Sequence, residues 1–270
     1  MRLACLLLLG SLSLLTSCRP GSQVIATKRY LYDSLEKYSY LIIGMNSKEI
    51  TNSSGFFIRD TANKLFLVSA YHVFTGCDVF PDTFQDQRAD TLKVWYTDTL
   101  GVYKFAKLPL TAYKNKPCKS AAVLPDMDTM EVTAWFRDGN IYSIEHMAPH
   151  YWKDSTGVRP GDIVVCYGFF QDDPAKFPPK EGDPRVKPAG YTSHAMEVPG
   201  SIRGLLGQTY IAVHPANKEG FSGAPLFMIR ADSTRKRKIA FAGIQSGNSE
   251  DNSHSLIVRG AELENLLQWK

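Results

Sequence analysis

The chain is a succession of short apolar runs, and this constrains its fold more than any other feature. In order they read YSYLIIGM, GFFI, KLFLVSA, LKVWYT, EVTAWF, DIVVCYGFF, TYIAV, APLFMI, KIAFAGIQSG and SLIVRG. Each is a few residues long, rich in Val, Ile, Phe and Tyr, and bounded by Gly, Pro, Asn or Asp, which favour turns over continued pairing. No repeat period stands out, and no long interior segment carries apolar residues at helical spacing. Strands of this length and spacing predict an all-β sandwich or barrel. Helix is expected only at the ends, in LYDSLEKYS from Leu31 and in GAELENLLQW from Gly260, where Leu263, Leu266 and Leu267 share one face. From Gln171 to Pro188 the chain is rich in Pro, Asp and Lys. Proline removes ladder donors, so this stretch is expected to be a long exposed loop.

With 270 residues, 44% of them hydrophobic, the chain can bury the core of one large domain or two small ones. Aromatic content of 11% and charged content of 21% exclude a disordered chain. A formal charge of +4 is mild, and its one basic run, Arg235–Lys238, lies between two apolar runs as a solvated hairpin tip. No nucleic-acid partner is expected. At the N-terminus, Arg2 precedes an apolar stretch to Leu15 that is too short for a trusted membrane span and fits a secretory leader. Cys77, Cys118 and Cys166 match no zinc spacing, and no metal or cofactor is expected. They read mostly as buried small hydrophobes, and their spacing does not say whether any two of them pair.

The segment EGFSGAPLF places Ser222 between two glycines and ahead of a strand-like run. Alone it reads as a strand-entry turn. A near match to the G-x-S-x-G elbow fails on context, because that elbow needs a buried strand before the serine and a helix after it. If Ser222 is a nucleophile, it needs a base to take its proton, an acid to orient that base, and donors for the oxyanion. Of the histidines, His72 stands apart, just past the apolar run LFLVSA and behind the paired run SGFFI.

Taken together, SGFFI…LFLVSAYHVF resembles the histidine region of the chymotrypsin-like serine peptidases, and GFSGAPLF resembles their serine region. Ser222 follows His72 by 150 residues, in the histidine-before-serine order of that family. Further similarity lies in RPGDIVVCYGFF, FAGIQSG and SLIVRGAELENLL, so the likeness runs from about Leu41 to Leu267. It implies two six-stranded antiparallel β-barrels and a short C-terminal helix, with residues 31–148 holding the histidine and acid and 149–270 the serine. The resemblance assigns Ser222 as nucleophile, His72 as base, and the amides of Gly220 and Ser222 as the oxyanion hole. For the acid, register against the family pattern in LPDMDTMEVTAWF favours Glu131, with Asp128 as the alternative; the family uses aspartate there. Ala216, Asn217 and Gln245 fall where relatives build the side-chain pocket, which implies a small or medium uncharged residue before the scissile bond. Ser246 and Gly247 fall where relatives pair with substrate backbone.

The leader ends in LTSC, which resembles the lipobox of bacterial lipoproteins. That likeness implies a signal peptide over 1–17, lipidation at Cys18, a tether over 18–30, and a domain held at a membrane in the bacterial cell envelope outside the cytoplasm. A lipidated Cys18 has no free amine, so no activation through a freed N-terminus is expected. The implied activity is that of a serine endopeptidase on peptide or protein substrates. A catalytically inactive peptidase-like lipoprotein that binds peptides or partners in the same cleft is the alternative. A purely structural barrel predicts that His72 and Ser222 lie far apart.

Overall fold

The computed structural model describes residues 35–46, 48–77, 86–118, 125–137, 139–144, 157–170, 195–207, 209–231 and 237–267. The leader, Cys18, the tether, residues 31–34, the Pro-rich segment 171–188, and Arg235 and Lys236 lie outside them.

The first half comprises β1 (Tyr40–Asn46), β2 (Lys48–Arg59), β3 (Leu65–Ser69), helix α1 (Tyr71–Thr75), β4 (Thr91–Thr97), β5 (Tyr103–Pro109) and β6 (Asp128–Glu131). These strands form a six-stranded sheet in the order β5-β4-β1-β2-β3-β6. The second half comprises β7 (Ile163–Gly168), β8 (Met196–Leu206), β9 (Tyr210–His214), β10 (Pro225–Ala231), β11 (Arg237–Asn248), β12 (Ser255–Arg259) and helix α2 (Ala261–Leu267). Its strands close into a barrel in the order β10-β11-β12-β9-β8-β7. All these ladders are antiparallel. The expected two-barrel architecture with a C-terminal helix is therefore present, the first half as a half-barrel.

Strand alternation explains which faces turn inward. In β4, Leu92 and Val94 are buried while Thr91, Lys93 and Trp95 are not, and in β5 Ala106 and Leu108 are buried between Lys104, Lys107 and Pro109. The second barrel fills with Val164, Cys166, Ile211, Leu226, Met228 and Ile257. The halves meet along β2, where the Phe56 ring lies 5.1 Å from that of Phe241 on β11. Burial of these aromatic faces fixes how the two sheets are apposed and so where the cleft between them opens.

Several local expectations are corrected. The run EVTAWF is not a strand throughout: β6 ends at Glu131, and Thr133–Trp135 turn as a 3-10 helix with Trp135 45% exposed. Among the described residues, LYDSLEKYS contributes only a 3-10 turn, Glu36–Tyr38. Strands β5 and β8 carry too little apolar alternation to announce themselves; in β8 only Ile202 is buried, among Glu197, Pro199, Gly200 and Arg203. Cys77 and Cys118 are not isolated hydrophobes but a disulfide across 41 residues of sequence. The fold brings the end of α1 beside the segment after β5, and buried Arg88 donates to Cys118 Sγ at 2.9 Å. Cys166 remains free and buried, and that burial raises its thiol pKa far above the ordinary range.

Candidate active site

His72 sits in the first turn of α1, immediately after β3 delivers Ser69 to the cleft. Its imidazole Nδ1 lies 2.7 Å from Asp126 Oδ2, and its backbone N–H donates to Asp126 Oδ1 at 3.0 Å. One carboxylate thus takes both the ring and the backbone of His72, which fixes ring orientation and keeps the proton on Nδ1. Asp126 Oδ2 also accepts the Ser246 hydroxyl at 2.7 Å. Burial by itself would raise the Asp126 pKa, but the charge of His72 and the hydrogen bonds from His72 and Ser246 outweigh it and hold the carboxyl below its ordinary value.

The carboxylate on His72 is therefore neither Glu131 nor Asp128. The β3–β6 register explains why. It pairs Phe66 with Glu131 and Ser69 with Asp128, so Glu131 lies about three residues, roughly 10 Å, back along the strand from Ser69. Exposed Glu131 instead pairs with Lys64 at 3.1 Å, and Asp128 faces Lys116 at 3.6 Å. An acid serving His72 must precede the start of β6, and Asp126, just after Pro125, does so. A signal was present in the sequence, since Asp126-Met127 begins the same segment.

Ser222 occupies the turn between β9 and β10. Its Oγ lies 3.5 Å from the Ser246 carbonyl oxygen, while the Ser246 hydroxyl holds Asp126. Ser222 and the His72–Asp126 pair therefore converge on one residue of β11, which contradicts the widely separated arrangement of a purely structural barrel. The turn depends on two glycines with positive φ, Gly220 at 90° and Gly223 at 81°. A Cβ at Gly223 would collide with Ser69 Oγ and the Ser54 carbonyl oxygen. Among the described residues, the Gly220 and Ser222 amides donate to no protein acceptor, whereas Gly223 N–H is taken by Gln245 O at 2.7 Å and Ala224 N–H by Phe221 O at 2.8 Å. Two unpaired donors thus flank the hydroxyl, the arrangement an anionic oxygen requires. Phe221, between them, is buried in the core of the second barrel.

Beside the turn, Asn217 and Gln245 are buried and satisfy each other. Asn217 Nδ2 donates to Gln245 Oε1 at 2.8 Å, Gln245 Nε2 to Gly247 O, and Asn248 Nδ2 to Asn217 O at 2.9 Å; Asn217 N–H donates to Ser255 Oγ at 2.7 Å. This closed network carries no formal charge. Ala216 is half-buried next to it. Past Ile244, β11 is no longer paired with β10, and a register shift between Gln245 and Gly247 marks a bulge at Ser246. The bulge aims the Ser246 hydroxyl at Asp126 while its carbonyl meets Ser222. Among the described residues, no three His, Cys, Asp or Glu side chains cluster as metal ligands would.

No family model matches the chain, and no curated protein is similar to it in sequence. Solved structures are similar in fold. The crystal structure of Deg5 superposes with a TM-score of 0.52 at 14% identity, covering 91% of this chain and 93% of that one. The serine endoprotease from Yersinia pestis aligns with a TM-score of 0.48 at 12% identity, over 86% of this chain and 62% of that one. The Rv3671c protease from M. tuberculosis aligns at 0.47 and 14% identity, over 90% and 85%. With two six-stranded antiparallel sheets, a C-terminal helix and a superposition on Deg5 over nine-tenths of both chains, the chain has the chymotrypsin-like fold.

Proposed function

We propose that the chain is a serine endopeptidase in which Ser222 is the nucleophile, His72 the general base and Asp126 the acid that orients it. The observation that carries this reading is the continuous contact from Asp126 to His72 on one side and through Ser246 to Ser222 on the other. Ser222 attacks the scissile carbonyl as His72 takes its proton through Nε2; His72 then returns that proton to the leaving amine. The Gly220 and Ser222 amides receive the oxyanion. Asp126 stays ionised throughout and stabilises the imidazolium by charge. Substrate backbone adds as an antiparallel strand along Ser246 and Gly247. The uncharged surroundings of Asn217 and Gln245 suit a small or medium uncharged side chain before the scissile bond. Lipidation at Cys18 would hold this domain at a membrane face outside the cytoplasm, a setting in which the Cys77–Cys118 disulfide can persist.

The experiment is covalent labelling with a fluorophosphonate probe. The full chain is expected to take one label, and Ser222→Ala to take none. An unlabelled wild type that still binds unstructured peptides would instead support the inactive, peptide-binding alternative. An aspartate within hydrogen-bond reach of His72 supports the catalytic reading over that alternative.

A further inference from the structure

We infer that Ser54, on β2 of the first half, is a positioning residue for the oxyanion hole of the second; this rests on the peptidase reading above. Ser54 is fully buried, and its backbone and side-chain polar atoms are engaged around the Ser222 turn. Its hydroxyl donates to Gly220 O at 3.0 Å and accepts Phe169 N–H at 2.8 Å. Its own N–H donates to Ser222 O at 2.8 Å, and its carbonyl accepts the Ser69 hydroxyl at 2.8 Å.

The two donors of the hole are not held alike. The Ser222 amide is aimed by the turn itself, because Ala224 N–H fixes the Phe221 carbonyl and so the plane of the Phe221–Ser222 peptide. The Gly220 amide has no such brace. Glycine at a φ of 90° offers little torsional resistance, and a rotated peptide would present a carbonyl oxygen to the hole in place of an N–H. Ser54 takes Gly220 O, which belongs to the following Gly220–Phe221 peptide, and Ser222 O beyond it, so it anchors the chain on the C-terminal side of the Gly220 Cα from which that amide projects. The anchor comes from the half that also carries His72, so the same strand pair registers the base and the oxyanion donors to each other. Phe221 completes it from below, its ring packed where a Cβ on Gly168 would collide with it.

The test compares second-order rates of fluorophosphonate labelling at Ser222 in the full chain and in Ser54→Ala, Ser54→Cys and Ser53→Ala. Folding is checked by circular dichroism, and rates are followed across pH. Ser53 is a buried neighbour whose hydroxyl, among the described residues, reaches only the Ile42 carbonyl at 3.4 Å, so Ser53→Ala controls for loss of a buried hydroxyl. Expected are a fall of about 10- to 100-fold for Ser54→Ala, a smaller fall for Ser54→Cys, and a near-wild-type rate for Ser53→Ala. The pH midpoint stays unchanged, because the His72–Asp126 pair is untouched. If Ser54→Ala does not fold, Ser54→Cys, which keeps the volume and a weak donor, carries the test. A folded Ser54 variant that labels at the wild-type rate overturns the inference, as does an equal loss in Ser53→Ala. A wild-type chain that takes no label defeats the peptidase reading itself, and the role of Ser54 falls with it.

Discussion

Replacing Asp126 by Asn tests the constellation at its most connected atom. Asp126 accepts three hydrogen bonds, from His72 N–H, His72 Nδ1–H and the Ser246 hydroxyl, and two of them end on Oδ2. An amide nitrogen at Oδ2 faces two donors. The imidazole relieves the conflict only by moving its proton to the other ring nitrogen, where it can no longer accept the Ser222 proton. Turning the amide over sets its nitrogen against the His72 backbone N–H instead. The expected loss in kcat is about 10⁴-fold, or about 5 kcal/mol of transition-state stabilisation. Stability responds with a definite sign. The folded carboxyl titrates below its ordinary value, so its contribution is fully present above about pH 4 and is lost as pH falls through the folded pKa. Urea unfolding should therefore show Asp126→Asn less stable than wild type at pH 7, with the gap narrowing below pH 4. Labelling kinetics give the catalytic arm. A folded Asp126→Asn chain reacting within tenfold of wild type would refute this account of the acid.

The remaining predictions concern the rejected acids, the turn and the disulfide. Glu131→Gln and Asp128→Asn should label at rates within about twofold of wild type, since each carboxylate faces a lysine along or beside β6. Gly223→Ala should lose more than about 2 kcal/mol in urea unfolding, because it combines a φ of 81° with a Cβ driven into Ser69 and Ser54. A paired Cys77→Ser, Cys118→Ser variant should lose about 3–4 kcal/mol, the loop-entropy value for a 41-residue separation. Native Cys166 should resist thiol reagents until the chain unfolds, a difference readable by mass spectrometry.

What the amino-acid order made legible was whatever depends on local burial. Leu92 and Val94, or Val164 and Cys166, bury on one side of a strand, and such runs reveal themselves without a structure. Strand β8 does not, because among Glu197, Pro199, Gly200 and Arg203 only Ile202 turns inward. His72 and Ser222 were legible as motifs because each needs a particular turn beside it. Which carboxylate of LPDMDTMEVTAWF serves His72 was not, since that choice follows from the β3–β6 register, and a register is a relation between distant segments. The same holds for the Cys77–Cys118 pairing and for Ser54, whose partners Phe169 and Gly220 lie more than a hundred residues away. Such contacts become visible only in the folded chain.

If Ser222 is the nucleophile of an endopeptidase, the chain cuts peptide bonds and a variant without that hydroxyl does not. The most direct measurement is an inventory of new N-termini, by mass spectrometry, in a denatured protein mixture incubated with the full chain or with Ser222→Ala. Internal cleavages are expected with the wild type, enriched for small or medium uncharged residues before the cut, and none with the variant. Identical sets of N-termini from the two would contradict it.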